Sequence, residues 1–158
     1  MPLVGLWAIR LFLALLLVFS LLIEAYFVPV LGLEVIQANP EARDMFVPAL
    51  LWSVLFIGCA QVALVVVWRL VSLIEQERIF STSALSWVRA LIATALVALG
   101  LVVLAFIVLT VKEYTPPLIM YGLIGTGLLL AAFALAVGAM RGLLRKSTRF
   151  QEELEEVI

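Results

Sequence analysis

The chain has 158 residues, 66% of them hydrophobic and only 13% charged, with a mean hydropathy of +1.25. A water-soluble fold is typically about half apolar and a quarter charged, so lipid must be the solvent for much of this surface. A formal net charge of -1 leaves no basic footprint for direct nucleic-acid binding; the absence of histidine excludes His-based triads, zinc hydrolase sites and His-ligated haem, and the single cysteine, Cys59, excludes an internal disulfide or CxxC pair.

The first apolar run, Leu11 to Leu33, is interrupted by one charge, Glu24, and follows Trp7 and Arg10. It is longer than a secretory signal core and no A-x-A site follows, so it reads as an uncleaved signal anchor. A polar stretch, Glu34 to Asp44, contains Asn39-Pro40, a cap-then-proline helix start. The second run is Met45 to Trp68, with Pro48 in its opening turns, where a missing donor costs little. The connector Arg69 to Arg89 groups charges at Glu75, Glu77 and Arg78. The third run, Ala90 to Val111, is framed by Trp87 and Arg89 on one side and Lys112-Glu113-Tyr114 on the other. Thr115-Pro116-Pro117 repeats the cap-then-proline signal before the fourth run, Leu118 to Met140. Each run is about as long as the roughly 20 residues that cross the hydrocarbon at 1.5 Å per residue, and none alternates as a barrel strand does. The expectation is a single all-α membrane domain: four transmembrane helices at 11–33, 45–68, 90–111 and 118–140 in an antiparallel up-down bundle, with the tail 141–158 as a cytoplasmic helical extension.

Basic residues orient the spans. Arg10, Arg69, Arg78, Arg89, Arg141, Arg145, Lys146 and Arg149 flank one side, against Arg43 and Lys112 on the other. The positive-inside rule puts the first set, and with it both termini, in the cytoplasm, with the chain in the cell inner (plasma) membrane.

Glu24 is the one ionisable group well inside a span. Burying it as a carboxylate would cost several kcal/mol, so it should be neutral, hydrogen-bonded or beside water. Counting depth along antiparallel helices puts Ser53 on the second span and Tyr121, Gly125 and Thr126 on the fourth near its level. Glu24, Ser53, Tyr121 and Thr126 then form either an intramembrane proton, cation or ligand site, or a neutral acid satisfied by hydroxyls. Gln61, lower in the second span, reads as an interhelical hydrogen bond. Gly122 and Thr126, Ala134 and Gly138, and Gly138 and Gly142 are spaced four apart on the fourth span, suiting internal packing or a homo-oligomer. Cys59, between Gly58 and Ala60, reads as a small core residue.

No proline follows Pro117, so the fourth helix should run on past the membrane. Leu143, Ser147, Phe150, Leu154 and Val157 recur at four-three spacing. Arg141, Arg145 and Arg149 form a separate basic stripe near the membrane, followed by Glu152, Glu153, Glu155 and Glu156. The inner leaflet attracts the first and repels the second, so the tail should project outward. Phe150, Leu154 and Val157 form a candidate docking face for a partner, or the end of a solvated helix.

Two segments carry a family likeness: Glu77-Arg78-Ile79-Phe80-Ser81 leading to Trp87-Val88-Arg89, and Met140-Arg141-Gly142-Leu143-Leu144-Arg145 leading to Glu153-Leu154-Glu155-Glu156-Val157-Ile158. They resemble a bacterial four-helix membrane family, domain of unknown function 2975, and the ending resembles its actinobacterial branch. The resemblance implies no catalytic residues. It does imply a regulatory partner, because genes of such proteins often neighbour a small Cro/CI-type helix-turn-helix regulator.

The expected function is therefore a non-enzymatic membrane accessory or sensor protein, without cofactor or metal. Its connector, Leu70 to Val88, and tail, Leu143 to Ile158, would dock a soluble cytoplasmic regulator. The alternatives are a small transporter or channel component built around Glu24, and a structural subunit of a larger membrane complex.

Overall fold

A computed structural model describes residues 3–77, 79 and 81–157, the side chain of Leu3 excepted; Arg78, Phe80 and Ile158 of the segments above lie outside the described residues. The first span is α1 (Leu3–Leu22), a π-helical turn (Ile23–Phe27) and α2 (Val28–Ala38). A 3-10 turn (Pro40–Met45) leads into α3 (Phe46–Glu75), and α4 (Thr82–Val111) and α5 (Pro117–Val157) complete the chain. Among the described residues there is no strand. Four helical stretches, Val4–Ala38, Pro40–Glu75, Thr82–Val111 and Pro117–Val157, are long and apolar enough to cross a membrane. Helices are the only open structure whose backbone satisfies itself in hydrocarbon. Phe12, Leu15, Leu51, Leu55, Leu104 and Leu128 are exposed, as the apolar side chains of a lipid-facing surface are. The chain is an all-α, multi-pass membrane protein. Its helices run past the apolar runs read from sequence at Leu11, Leu33, Trp68, Ala90 and Met140, because the backbone stays helical where charged flanks enter the interface; α4 stops at Val111, where its run does.

The elements form two compact units, Met1–Leu64 and Val65–Ile158. In the first, the break in the first span has a local cause. Pro29 has no N–H to give, and its ring would collide with the carbonyl four residues back. The helix widens by one turn instead, and the Val28 N–H bonds to the Ile23 carbonyl, five residues earlier. Past α2 the chain reverses. Asn39 takes up the cap position before Pro40 but does not cap the new helix with its side chain; its Nδ2 donates back to the Val35 carbonyl at 3.4 Å. Its φ of -134° and ψ of 82° bond its own N–H to the same carbonyl at 2.8 Å, closing α2 rather than opening α3. Gly32 lies under the Phe46 ring, where an added Cβ would come within 2.7 Å of Cε2.

The second unit is built on the α4–α5 hairpin. On α4 the buried residues are Ala84, Val88, Leu91, Ala95, Ala98 and Val102. Their four-three spacing is a coiled-coil seam in which alanines let the partner helix come close. Ser81 opens α4 in extended conformation and accepts a hydrogen bond from the Ala84 N–H. At the far end Glu113 adopts φ 57°, with its N–H on the Thr110 carbonyl and that of Tyr114 on the Leu109 carbonyl. This is a Schellman closure with glutamate where glycine is usual. Pro117 opens α5. A Cβ added at Gly127 would lie 3.5 Å from Val102 Cγ1 and 3.8 Å from Leu99, an ordinary contact distance, so Gly127 faces α4. Val102 and Gly127 are about equally far from the turn, so α4 and α5 run antiparallel.

The small residues of α5 behave differently from the packing expectation. A Cβ added at Gly122, Gly138 or Gly142 would meet nothing within 4 Å. The close approach within this hairpin is supplied by the alanines of α4, and those α5 glycines face away from it.

Candidate functional site

Hydroxyls buried in lipid have a cheap solution: they bond back to a carbonyl of their own helix. Ser53 Oγ donates to Ala49 at 2.8 Å, Thr94 to Ala90 at 2.8 Å, Thr110 to Phe106 at 2.8 Å and Thr126 to Gly122 at 2.8 Å. A carboxyl or a primary amide has too many polar atoms for this, and must find a partner on another helix.

Glu24 and Gln61 do so. Within the first unit, Gln61 Nε2 on α3 donates to Glu24 Oε2 at 2.6 Å. Both side chains are half-buried. Glu24 sits in the π-helical turn, and the turn adds backbone polarity to the pair. The Val28 N–H is committed to Ile23, and Pro29 has none, so the Glu24 carbonyl has no donor in its own helix. A carboxyl, an amide and a released carbonyl are thus gathered inside an apolar span. Such a group can hold a proton, a water molecule or a small cation; π-turns of this kind occur often at functional positions.

Gln61 meets Glu24 although simple depth counting puts Ser53 there. A count that reverses the chain at Asn39 favours Ser53, but the reversal takes in the whole 3-10 turn Pro40–Met45. Glu24 and Gln61 are equally far along the chain from the middle of that turn. Of the other residues singled out from sequence, Ser53 is satisfied by its own helix. Tyr121, at 74% exposure, and Thr126 belong to the second unit. Cys59 is a half-buried free thiol. Trp52 and Phe56 stack at 5.1 Å on α3.

The second feature is the tail. The fourth span and the tail are one helix, α5, of 41 residues. Val137 and Thr148 are buried, whereas Leu143, Phe150, Leu154 and Val157 are exposed. The basic and acidic segments are linked along the helix by Arg149 and Glu153, 3.8 Å apart and both well exposed, an arrangement of little energetic consequence.

The family described as Protein of unknown function (DUF2975) matches residues 30–158. The chain belongs to this family. No curated protein and no solved structure matches it. The DUF2975 match takes in the connector, the tail and Gln61 but begins after Glu24 and the π-turn. The family brings no assigned chemistry, so site reasoning for this DUF2975 protein rests on its own side chains. The signal for the π-turn was Pro29 inside an otherwise continuous apolar helix.

Proposed function

We propose that this DUF2975 protein is a non-enzymatic accessory or sensor protein of the cell inner (plasma) membrane that docks a soluble cytoplasmic regulator through the connector 70–88 and the tail. The observation that carries the reading is the unbroken run of α5 to Val157 with Phe150, Leu154 and Val157 exposed along it. An apolar stripe held out in this way invites a cover. Glu152, Glu153, Glu155 and Glu156 beside the stripe fit a partner with a basic rim, and DNA-binding regulators of the helix-turn-helix type carry such a face. Three such side chains contribute roughly 1.5–3 kcal/mol each on full burial, enough for a modest contact after the cost of association.

Phe150→Ser together with Leu154→Ser should release a co-purifying regulator while the spans stay inserted, measured by affinity capture at matched membrane levels. Equal capture by wild type and variant would end the proposal, as would a wild type that captures no regulator. The proposal also requires cytoplasmic ends, supported by eight basic flanking residues against two. A reporter active only outside the membrane should be silent when fused after Ile158 and active when inserted near Asn39; the reverse pattern would overturn the topology.

A second reading, a small transporter or channel component, is favoured by the Glu24–Gln61 pair and the released carbonyl in the π-turn. On that reading Glu24→Gln abolishes a proton- or cation-dependent flux. On the accessory reading it leaves the protein close to wild type, because the amide keeps a hydrogen bond to Gln61.

A further inference from the structure

One end of the second unit, where α3 finishes, α4 begins and α5 leaves its apolar stretch, carries cations from three helices. Arg69 of α3 lies over the Trp87 ring of α4, its Cζ 5.7 Å from the ring centroid. Arg89, two residues further along α4, is exposed on the other side of that helix. Counting equally along the antiparallel pair from the Val102–Gly127 contact brings Val88 opposite Arg141, so Arg141 of α5 stands level with Trp87 and Arg89. Arg141 Nε is closed off from solvent and has no hydrogen-bond partner among the described residues.

A guanidinium donor shut away from water without an acceptor is an incomplete interaction. The acids of the same helix begin at Glu152, about three turns further on, and Glu75 of α3 lies well over a turn beyond Arg69. What suits weakly hydrated guanidinium groups beside an indole is a phosphate oxygen pair, bound through the guanidinium fork. The position adds the rest of the ligand. Immediately towards the apolar stretch, Phe133 and Met140 of α5, seven residues apart and so on one face, are exposed, at 44% and 66%, a surface along which an acyl chain can lie. Trp87 is placed as the aromatic residues of a membrane interface are.

We propose that Arg69, Trp87 and Arg141 form a binding site for the phosphodiester headgroup of an anionic phospholipid, with its acyl chain on the face of α5 that carries Phe133 and Met140. The site does not depend on tail docking, since Phe150, Leu154 and Val157 take no part in it.

The test uses the full-length protein purified in a neutral detergent, titrated with phosphatidylglycerol, phosphatidylcholine or inorganic phosphate, with bound lipid counted by native mass spectrometry and thermal stability followed in parallel. Phosphatidylglycerol should be retained and raise the melting temperature, and phosphatidylcholine should do neither. Arg141→Gln should weaken retention roughly fivefold and the Arg69→Gln/Arg141→Gln pair more. Arg141→Lys, which keeps the charge but not the fork, should fall between and guards against a folding defect. Arg149→Gln, outside the cluster, should retain the lipid as wild type does. Equal retention of the two lipids would overturn the proposal, as would an Arg149→Gln loss matching that of Arg141→Gln. Full competition by inorganic phosphate at equal concentration would reduce the site to a simple anion site and overturn it as a lipid site.

Discussion

Replacing Ala95 and Ala98 together by leucine should unfold the α4–α5 hairpin more readily than any surface change in the chain. Both alanines lie on the buried seam of α4, at 4% and 5% exposure, the same seam as Val102, which Gly127 of α5 faces. At so little exposure the larger side chains must push neighbouring groups aside. Overpacking of this kind costs about 1–3 kcal/mol per site, and looser packing along the rest of the hairpin adds to it. Unfolding of the purified protein in graded denaturing detergent, followed by circular dichroism, should show a lower midpoint for the double variant. The control is Leu96→Ala with Val97→Ala: these neighbours are exposed, at 53% and 58%, and should change the midpoint little. If the two double variants behave alike, α4 does not pack through this seam.

The second large effect is expected at Gln61. Gln61→Leu removes the donor to Glu24 and leaves the carboxyl inside an apolar span without it. An abandoned buried acceptor costs about 1–3 kcal/mol. Membrane measurements favour the lower part of that range, because the unfolded chain in lipid also finds partners. The pairing is diagnosed by a cycle: Glu24→Leu alone should destabilise by a similar amount, and the two leucines together should recover most of the loss, with two apolar side chains meeting where two polar ones met. Glu24→Gln should sit near wild type. Additive losses in the double variant would mean that the two side chains do not depend on each other.

Much of the architecture is legible directly. Four apolar runs of bilayer length, each bounded by charge, aromatic residues or proline, leave helices as the available solution in lipid. The continuation of α5 into the tail follows from the absence of proline after Pro117, and Glu77 to Ser81 leading to Trp87-Val88-Arg89 reads as family sequence without showing that Ser81 caps α4. The site is less legible. Glu24 and Gln61 each stand out as polar groups within apolar runs, yet their pairing does not, because it depends on how the chain reverses through the 3-10 turn Pro40–Met45. Asn39 has the right composition for a cap and spends its side chain on the preceding helix instead, since both termini compete for the same amide.

By itself, then, the sequence determined the helices, the lipid environment, family membership and the intramembrane position of Glu24. Each of these depends on local composition or on polarity summed over a span. Tertiary structure decided which small residues make the close contact, the alanines of α4 rather than Gly122, Gly138 and Gly142 of α5. It also decided that Gln61 meets Glu24, and that Pro29 is accommodated by a π-turn. In a uniformly apolar helix every face looks equally suited to lipid or protein. The choice between them is made by van der Waals fit and by the few polar atoms that cannot satisfy themselves within their own turn.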